Sequence, residues 1–329
     1  MSAAAAAAQN ERAPAPTPLK LRLKAWWEGV EVDELLARPG DDGGDGTSGA
    51  AAPAAGAPAA KDLSGEPITR AVWDESRIAA VEALWGHGHV RPGGDTFTLN
   101  FVRPMALTPA MSIIDMRAGL GGAARALVDT FGLWIAGYEP VEALATAGHE
   151  RSIYGGMARK APIQAYDPTA LELKANRYDA AIAFELFSEI RDKNGLFTRL
   201  IGSLKEPGQI MFTEFALKSH GTPAPEIVAW RETEPEVADL WTLKEYREMC
   251  EEAGLDLRIC DDFSDDYRQT ALAGWAAAVD QFKPGAHEPE IVERMLKESE
   301  RWNRRLAAID SGELRVVRIH ALKKSTQLK

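Results

Sequence analysis

The chain predicts an α/β fold built on an open, mainly parallel sheet covered on both faces. Three observations carry this. From about residue 63 onward, short apolar runs alternate with segments of helical periodicity, the spacing of βαβ units. A glycine-rich turn, "DMRAGLGG", follows the first apolar run and opens a helix. Acidic residues then recur at or near the ends of successive runs: Asp115, Glu139, Asp167 and Glu185. Ligands of such sheets sit outside the carboxyl ends of the strands.

Each element follows in order. "MSIIDM" reads as the first strand and "GGAARALVDTFG" as a helix stopped at Gly132. "LWIAGYEP" is a strand ended at Pro140, and "VEALATAGHERSIYG" is a helix. "APIQAYDP" reads as a third strand, with a short helix near "TALELKA" before a fourth strand, "YDAAIAFELF". "LFTRLIGSLKEPG" is a helix with its stop, "QIMFTEFAL" the fifth strand, and "LKEYREMCEEAGLDLRICDDFS" a helix followed by a strand. The last strand is "LRVVRIHALK", preceded by a helical insertion at about 264–308.

Ahead of this domain, assigned to residues 63–329, composition separates three zones. Residues 1–17 are rich in Ala and Pro and predict a disordered tail, and 39–62 read as a flexible linker. Between them, 18–38 spaces Trp26, Trp27, Val30, Leu35 and Leu36 as a short amphipathic helix. Its basic residues come early and its acids late, which opposes the helix dipole. It either packs on its own domain or docks as a tethered peptide on a protein partner.

Composition excludes several function classes. A net charge of −11 argues against a general hold on nucleic-acid phosphates. No apolar run has the length of a membrane span. The first residues lack the basic flank and apolar core of a secretory signal. Two cysteines, Cys250 and Cys260, have no metal-ligand companions, so no metal is expected. The expectation is a reduced, cytoplasmic protein.

The turn and the acids together suggest a cofactor site. Glycines allow close backbone approach. An acid one βα unit later, Glu139, suits the two hydroxyls of a ribose, as in dinucleotide folds. Asp167, at the next strand, can meet an adenine amine. A glycine-rich turn alone is weak evidence; with two acids on successive strands it is much stronger.

The stretches "IIDMRAGLGGAARAL", "GYEP", "AYDP", "YDAAIAFEL" and "LIGSLKEPGQIMFTEF" resemble a class I S-adenosylmethionine-dependent methyltransferase over about residues 70–323. "WGHGHVRPGG", "DMRAGLGG" and "TLKEY" are most similar to the phosphoethanolamine N-methyltransferases and their bacterial relatives. The resemblance implies a Rossmann-like sheet of the seven-strand type with an antiparallel last strand. It also implies an N-terminal lid and an insertion that helps close the substrate site. S-adenosylmethionine would be the cofactor, with Asp115, Arg117, Gly119, Gly121, Glu139, Asp167 and Gly94 forming its site. A small-molecule methyl acceptor would meet candidate catalytic residues Glu185 and Glu189.

The departures imply a degenerate site. Arg117 replaces the family's first loop glycine, and Arg91 a serine of the upstream segment. Trp73 and Glu189 align with the Tyr and His of the acid–base dyad. Phe215 replaces a Tyr, and Glu236 and Ala238 a phosphate-binding Arg/Tyr pair. Phosphoethanolamine is therefore not the expected acceptor. Arg117 has three readings: it blocks the cofactor, clamps the cofactor's carboxylate, or points to solvent with the loop reshaped. Glu185 is expected to face the pocket, and Glu189 to be a capping or solvated acid. His87 and His89 read as loop histidines rather than a metal pair. Trp73, Trp85 and Trp241 read mostly as core or lid aromatics, although Trp73 could stack on a substrate cation.

Two functions remain: a methyltransferase acting on a small molecule other than phosphoethanolamine, or a scaffold or regulatory protein acting through 18–38. A dinucleotide oxidoreductase is a weaker third, because it gives the upstream segment and the "TLKEY" helix no role.

Overall fold

The computed structural model describes residues 72–283 and 285–324, together with Leu21 and Ala25. Apart from those two residues, the expected tail, helix and linker at 1–17, 18–38 and 39–62 lie outside the described residues. Among the described residues, no helix is long and apolar enough to cross a membrane.

The strands are β1 (Ser112–Asp115), β2 (Trp134–Glu139), β3 (Ile163–Ala165), β4 (Tyr178–Phe184), β5 (Leu204–Leu217), β6 (Trp241–Thr242), β7 (Leu255–Asp262) and β8 (Leu314–Lys323). In space they run β3-β2-β1-β4-β5-β8-β7, with the two-residue β6 paired to β5 off this path. Strands β1 to β5 pair in parallel, and β8 enters antiparallel between β5 and β7. This is the class I methyltransferase arrangement the sequence resemblance implied.

The inner strands read as continuous apolar runs because helices cover both faces. Leu127 and Val128 of helix α3 (Gly122–Phe131) join one face's core with Ile113, Ile135 and Ile182. Leu196 and Leu200 of α5 (Lys193–Ser203) and Tyr246 of α7 (Leu243–Glu252) join the other with Phe212 and Ile319. The remaining helices are α1 (Glu75–Trp85), α2 (Gly94–Phe101), α4 (Glu142–Tyr154), α6 (Pro225–Thr233), α8 (Ser264–Gln281) and α9 (Pro289–Asp310).

A third core forms the cap. Trp85 of α1 meets Trp275 of α8 at 4.7 Å and Trp302 of α9 at 5.6 Å between ring centroids. The helical insertion is therefore the pair α8 and α9, and with α1 it encloses the chemistry-bearing end of the sheet.

Local expectations shift in three places. No helix forms near "TALELKA". There, Asp167 Oδ1 accepts hydrogen bonds from both the backbone N–H and the hydroxyl of Thr169, a local turn that competes with helix. Strand β3 ends at Ala165, short of Asp167. Strand β5 starts at Leu204, so the segment "LKEPG" extends the sheet rather than closing the preceding helix.

Candidate active site

The loop after β1 is shaped by its own hydrogen bonds. Ala118 N–H donates to Tyr138 O at 3.1 Å, and Gly121 N–H to Ala118 O at 2.8 Å. Gly119 and Gly121 have φ of +54° and +77°, conformations that a side chain disfavours. A Cβ on Gly121 would also stand 2.3 Å from Ile163 Cδ1. Gly121 is thus required for packing against β3, while Gly119 faces the cleft.

Glu139, fully buried at the end of β2, fixes the loop. Its Oε2 accepts Gly119 N–H at 2.8 Å and its Oε1 accepts Val141 N–H at 3.0 Å. Asp115 lies beneath the loop with no exposure and accepts Arg117 N–H at 3.0 Å. Its other oxygen, Oδ2, is buried without a hydrogen-bond partner. Burial pushes the Asp115 carboxyl up to about 7, and Glu139 adds to the rise.

Arg117 is not solvent-directed, which excludes one of its three readings. Its guanidinium grips Glu189 with two hydrogen bonds of 3.0 and 2.5 Å and stands 3.6 Å from Glu139. Burial opposes its charge, but the carboxylates of Glu189 and then Glu139 outweigh burial and hold it firmly protonated. The expectation that Glu189 is a capping or solvated acid is overturned. It is 7% exposed, in a short 3₁₀ turn, Phe187–Glu189. Glu214 of β5 accepts the backbone N–H groups of Phe187 and Phe215, anchoring that turn. Burial pushes the Glu214 carboxyl up to about 7 as well.

Arg117, Val90 and Arg91 form a shared wall between two spaces. The smaller, about 390 Å³, runs along the 88–98 segment and contains Gly94. The larger, about 660 Å³ with its open mouth included, is lined by Gly119, Glu139, Glu185, Glu189 and the cap. Of the expected site residues, Arg117, Gly119, Glu139, Glu185 and Glu189 meet at this cleft. Asp115 and Gly121 support it from below, Gly94 lines the neighbouring space, and Asp167 is exposed and lines neither.

Glu185 follows β4 with φ +56°, a left-handed conformation unusual for a residue other than glycine. Its carboxylate faces the cleft between Arg91 and Arg305, each at 3.8 Å.

The cap contributes charges of which only Glu236 was singled out from the sequence. Arg77 pairs with Glu298 at 2.7 Å, and Arg301 with Glu236 at 2.5 Å. Arg305 makes two hydrogen bonds to Glu234, at 2.7 and 2.8 Å, and a third to the Tyr267 hydroxyl at 3.0 Å. Aromatic faces complete the lining: Trp73 beside Arg77 at 3.9 Å, and Trp302 and Phe215 beside Arg305 at 4.3 and 5.1 Å. A signal for these residues exists in α9, where Glu298, Arg301, Trp302 and Arg305 recur at helical spacing on one face. The loop histidines each have a carboxylate partner, His87 with Glu82 and His89 with Asp95. Among the described residues, no group of three or more His, Cys, Asp or Glu could hold a metal ion.

This architecture agrees with comparisons to known proteins. A family model described as a methyltransferase domain matches residues 96–258. Residues 96–258 thus match a methyltransferase domain, and the sheet has the class I methyltransferase strand order. Its curated relatives include phosphoethanolamine N-methyltransferase 1 of Triticum aestivum, 26% identical over 58% of this chain and 37% of that protein. Another is phosphoethanolamine N-methyltransferase 2 of Caenorhabditis elegans, 23% identical over 47% of this chain and 35% of that protein. The chain thus spans well under half the length of these relatives. Among solved structures, phosphoethanolamine N-methyltransferase 2 of Haemonchus contortus in complex with S-adenosyl-L-methionine superposes with a TM-score of 0.67. That match is 20% identical and covers 75% of this chain and 57% of the other. The [4+2]-cyclase SpnF superposes with a TM-score of 0.60 at 16% identity, covering 75% of this chain and 93% of that one.

Proposed function

We propose that this protein binds S-adenosylmethionine at the β1–β2 loop and transfers its methyl group to a small molecule other than phosphoethanolamine. The cradle at Gly119 carries the reading. Gly119 lines the cleft with its N–H held by buried Glu139, while Asp115 Oδ2 beneath it is a buried acceptor without a partner. A carboxylate at Glu139 suits ribose hydroxyls, and the orphaned oxygen suits a further hydrogen-bond donor once the loop shifts to admit one. The bound cofactor supplies a sulfonium-activated methyl group. The chain's residues orient the acceptor and exclude water, the main demands of an in-line transfer. Glu185, strained and facing the cleft, is placed to hold an ammonium group of a bound ligand.

An acceptor other than the relatives' named phosphoethanolamine is favoured because, among the described residues, the cap guanidiniums lining the cleft are engaged and Arg91, the open one, faces the Glu185 carboxylate. Arg77, Arg301 and Arg305 are each closed on a glutamate. Adding a dianion would force a buried carboxylate to give up its partner.

Arg117 favours a second reading, a methyltransferase fold without catalysis that acts as a scaffold or regulator, with 18–38 as its docking peptide. The guanidinium lies on the carboxylate that would receive the ribose. Fold alone does not choose between these readings, since a cyclase shares it.

Calorimetric titration with S-adenosylmethionine and S-adenosylhomocysteine tests both. Binding by wild type supports the methyltransferase reading, and further weakening by Arg117→Ala makes Arg117 a carboxylate clamp. Failure by wild type, with binding restored in Arg117→Gly, supports the scaffold. Deletion of residues 1–60 then reads the docking peptide: unchanged capture of partners would remove it.

A further inference from the structure

The ion pairs around the large cleft fall into two kinds. Those of the cap close at hydrogen-bond distance, 2.5 to 2.7 Å. Those at Glu185 stand open, 3.8 Å from Arg91 on one side and from Arg305 on the other. The difference matters because a gap of 3.8 Å keeps the Coulomb attraction but leaves the hydrogen-bonding capacity of both groups unspent. Arg305 spends its capacity elsewhere, on Glu234 and Tyr267. Arg91 does not: its Nη1 is buried with no hydrogen-bond partner, and its guanidinium rests 5.1 Å from the Phe184 ring centroid. Leaving a buried donor unsatisfied is costly. The left-handed backbone at Glu185 is a second local cost in the same place. An open carboxylate beside an open guanidinium is the complement of a ligand with a cation and an anion a few ångströms apart.

We propose that Arg91 and Glu185 receive an α-ammonium carboxylate headgroup, with the ligand's ammonium on Glu185 and its carboxylate on Arg91. Two sources share that chemistry, the methionine end of S-adenosylmethionine and a free amino acid. The cofactor source rests on the methyl-transfer reading; the headgroup site itself does not. A phosphomonoester such as phosphoethanolamine fits poorly, since Glu185 would face its dianion as closely as Arg91.

The test is calorimetry with four probes on wild type, Arg91→Gln and Glu185→Gly. Glycine suits the backbone at position 185, so that variant folds while losing the carboxylate. The probes are S-adenosylhomocysteine, which carries the headgroup, 5′-methylthioadenosine, which lacks it, and glycine and L-methionine. If the source is the cofactor, S-adenosylhomocysteine binds wild type at least tenfold more tightly than methylthioadenosine. Both variants then erase that ratio, and L-methionine competes with S-adenosylhomocysteine. If the source is a free amino acid, glycine or L-methionine binds the S-adenosylhomocysteine-loaded protein, and both variants weaken it at least tenfold. Adenosine probes that bind wild type and both variants alike, with no amino-acid binding, overturn the headgroup site and leave the methyl-transfer reading standing. Amino-acid binding that requires Arg91, without binding of either adenosine probe, does the reverse. Absence of all binding, in wild type and in Arg117→Gly, overturns both.

Discussion

A guanidinium between two buried carboxylates holds only while all three remain together. Removing Arg117 leaves Glu189 and Glu139 facing each other without their cation. Arg117→Ala is therefore expected to cost roughly 3 kcal/mol, the lower end for a mostly buried pair broken on one side. Adding Glu189→Gln should recover much of that loss, a coupling of about 1–3 kcal/mol measurable by urea unfolding of the two single variants and the double. Additive losses would mean that the pair does not cooperate. Asp115 gives a prediction with a pH sign. Burial raises its carboxyl from 3.8 to about 7, so the folded protein retains a proton that the unfolded chain releases. That contribution to stability is present below the unfolded value and declines as pH rises through the window to about 7. Asp115→Asn still accepts Arg117 N–H but carries no charge. Its melting temperature relative to wild type should rise between pH 5 and pH 8, by the equivalent of up to a few kcal/mol. A difference constant with pH would show that Asp115 does not titrate in this window.

Among the elements, the upstream turn and the start of α3 meet with no room to spare. Gly122 N–H donates to Gly88 O at 2.8 Å, and a Cβ on Gly122 would lie 2.6 Å from that same oxygen. Gly122→Ala should destabilise by about 1–3 kcal/mol and speed amide exchange across 86–94. Gly202, inside α5 with open space around it, is the control: Gly202→Ala should be neutral or stabilising by about 0.5–1 kcal/mol. The sheet and this loop were legible because their signals are local. Strand runs, glycines and end-of-strand acids repeat at βα spacing, and the parallel register brings Gly119 to Glu139. Glu189 was misjudged because its burial depends on Arg117 and on Glu214 of β5, which no local pattern reveals. The cap's pairs were hidden by distance along the chain: Arg77 and Glu298 are 221 residues apart, Arg305 and Glu234 71. Asp167 differs in the opposite direction. Its place after a strand suggested a ligand contact, but the strand stops early and the carboxylate serves its own turn.

On the scale of the whole molecule, the cap and the sheet share one cleft, so ligand binding and stability are linked. The α9 helix supplies Arg301, Trp302 and Arg305 to the cleft wall while its apolar face meets α1 and β8. A ligand that binds only the folded state at a hundred times its Kd adds about 2.7 kcal/mol. For a domain of this size that corresponds to roughly 5–10 °C in melting temperature. Saturating S-adenosylhomocysteine should therefore raise the melting temperature by that amount and slow amide exchange in α9. The shift also measures what Arg117 takes from binding. At equal saturation, wild type and Arg117→Gly should gain equally, whatever their starting stabilities. At a fixed, subsaturating concentration, a larger gain in Arg117→Gly gives the work of displacing the guanidinium from Glu139 and Glu189. A larger gain in wild type would instead mean that Arg117 holds the ligand as a carboxylate clamp.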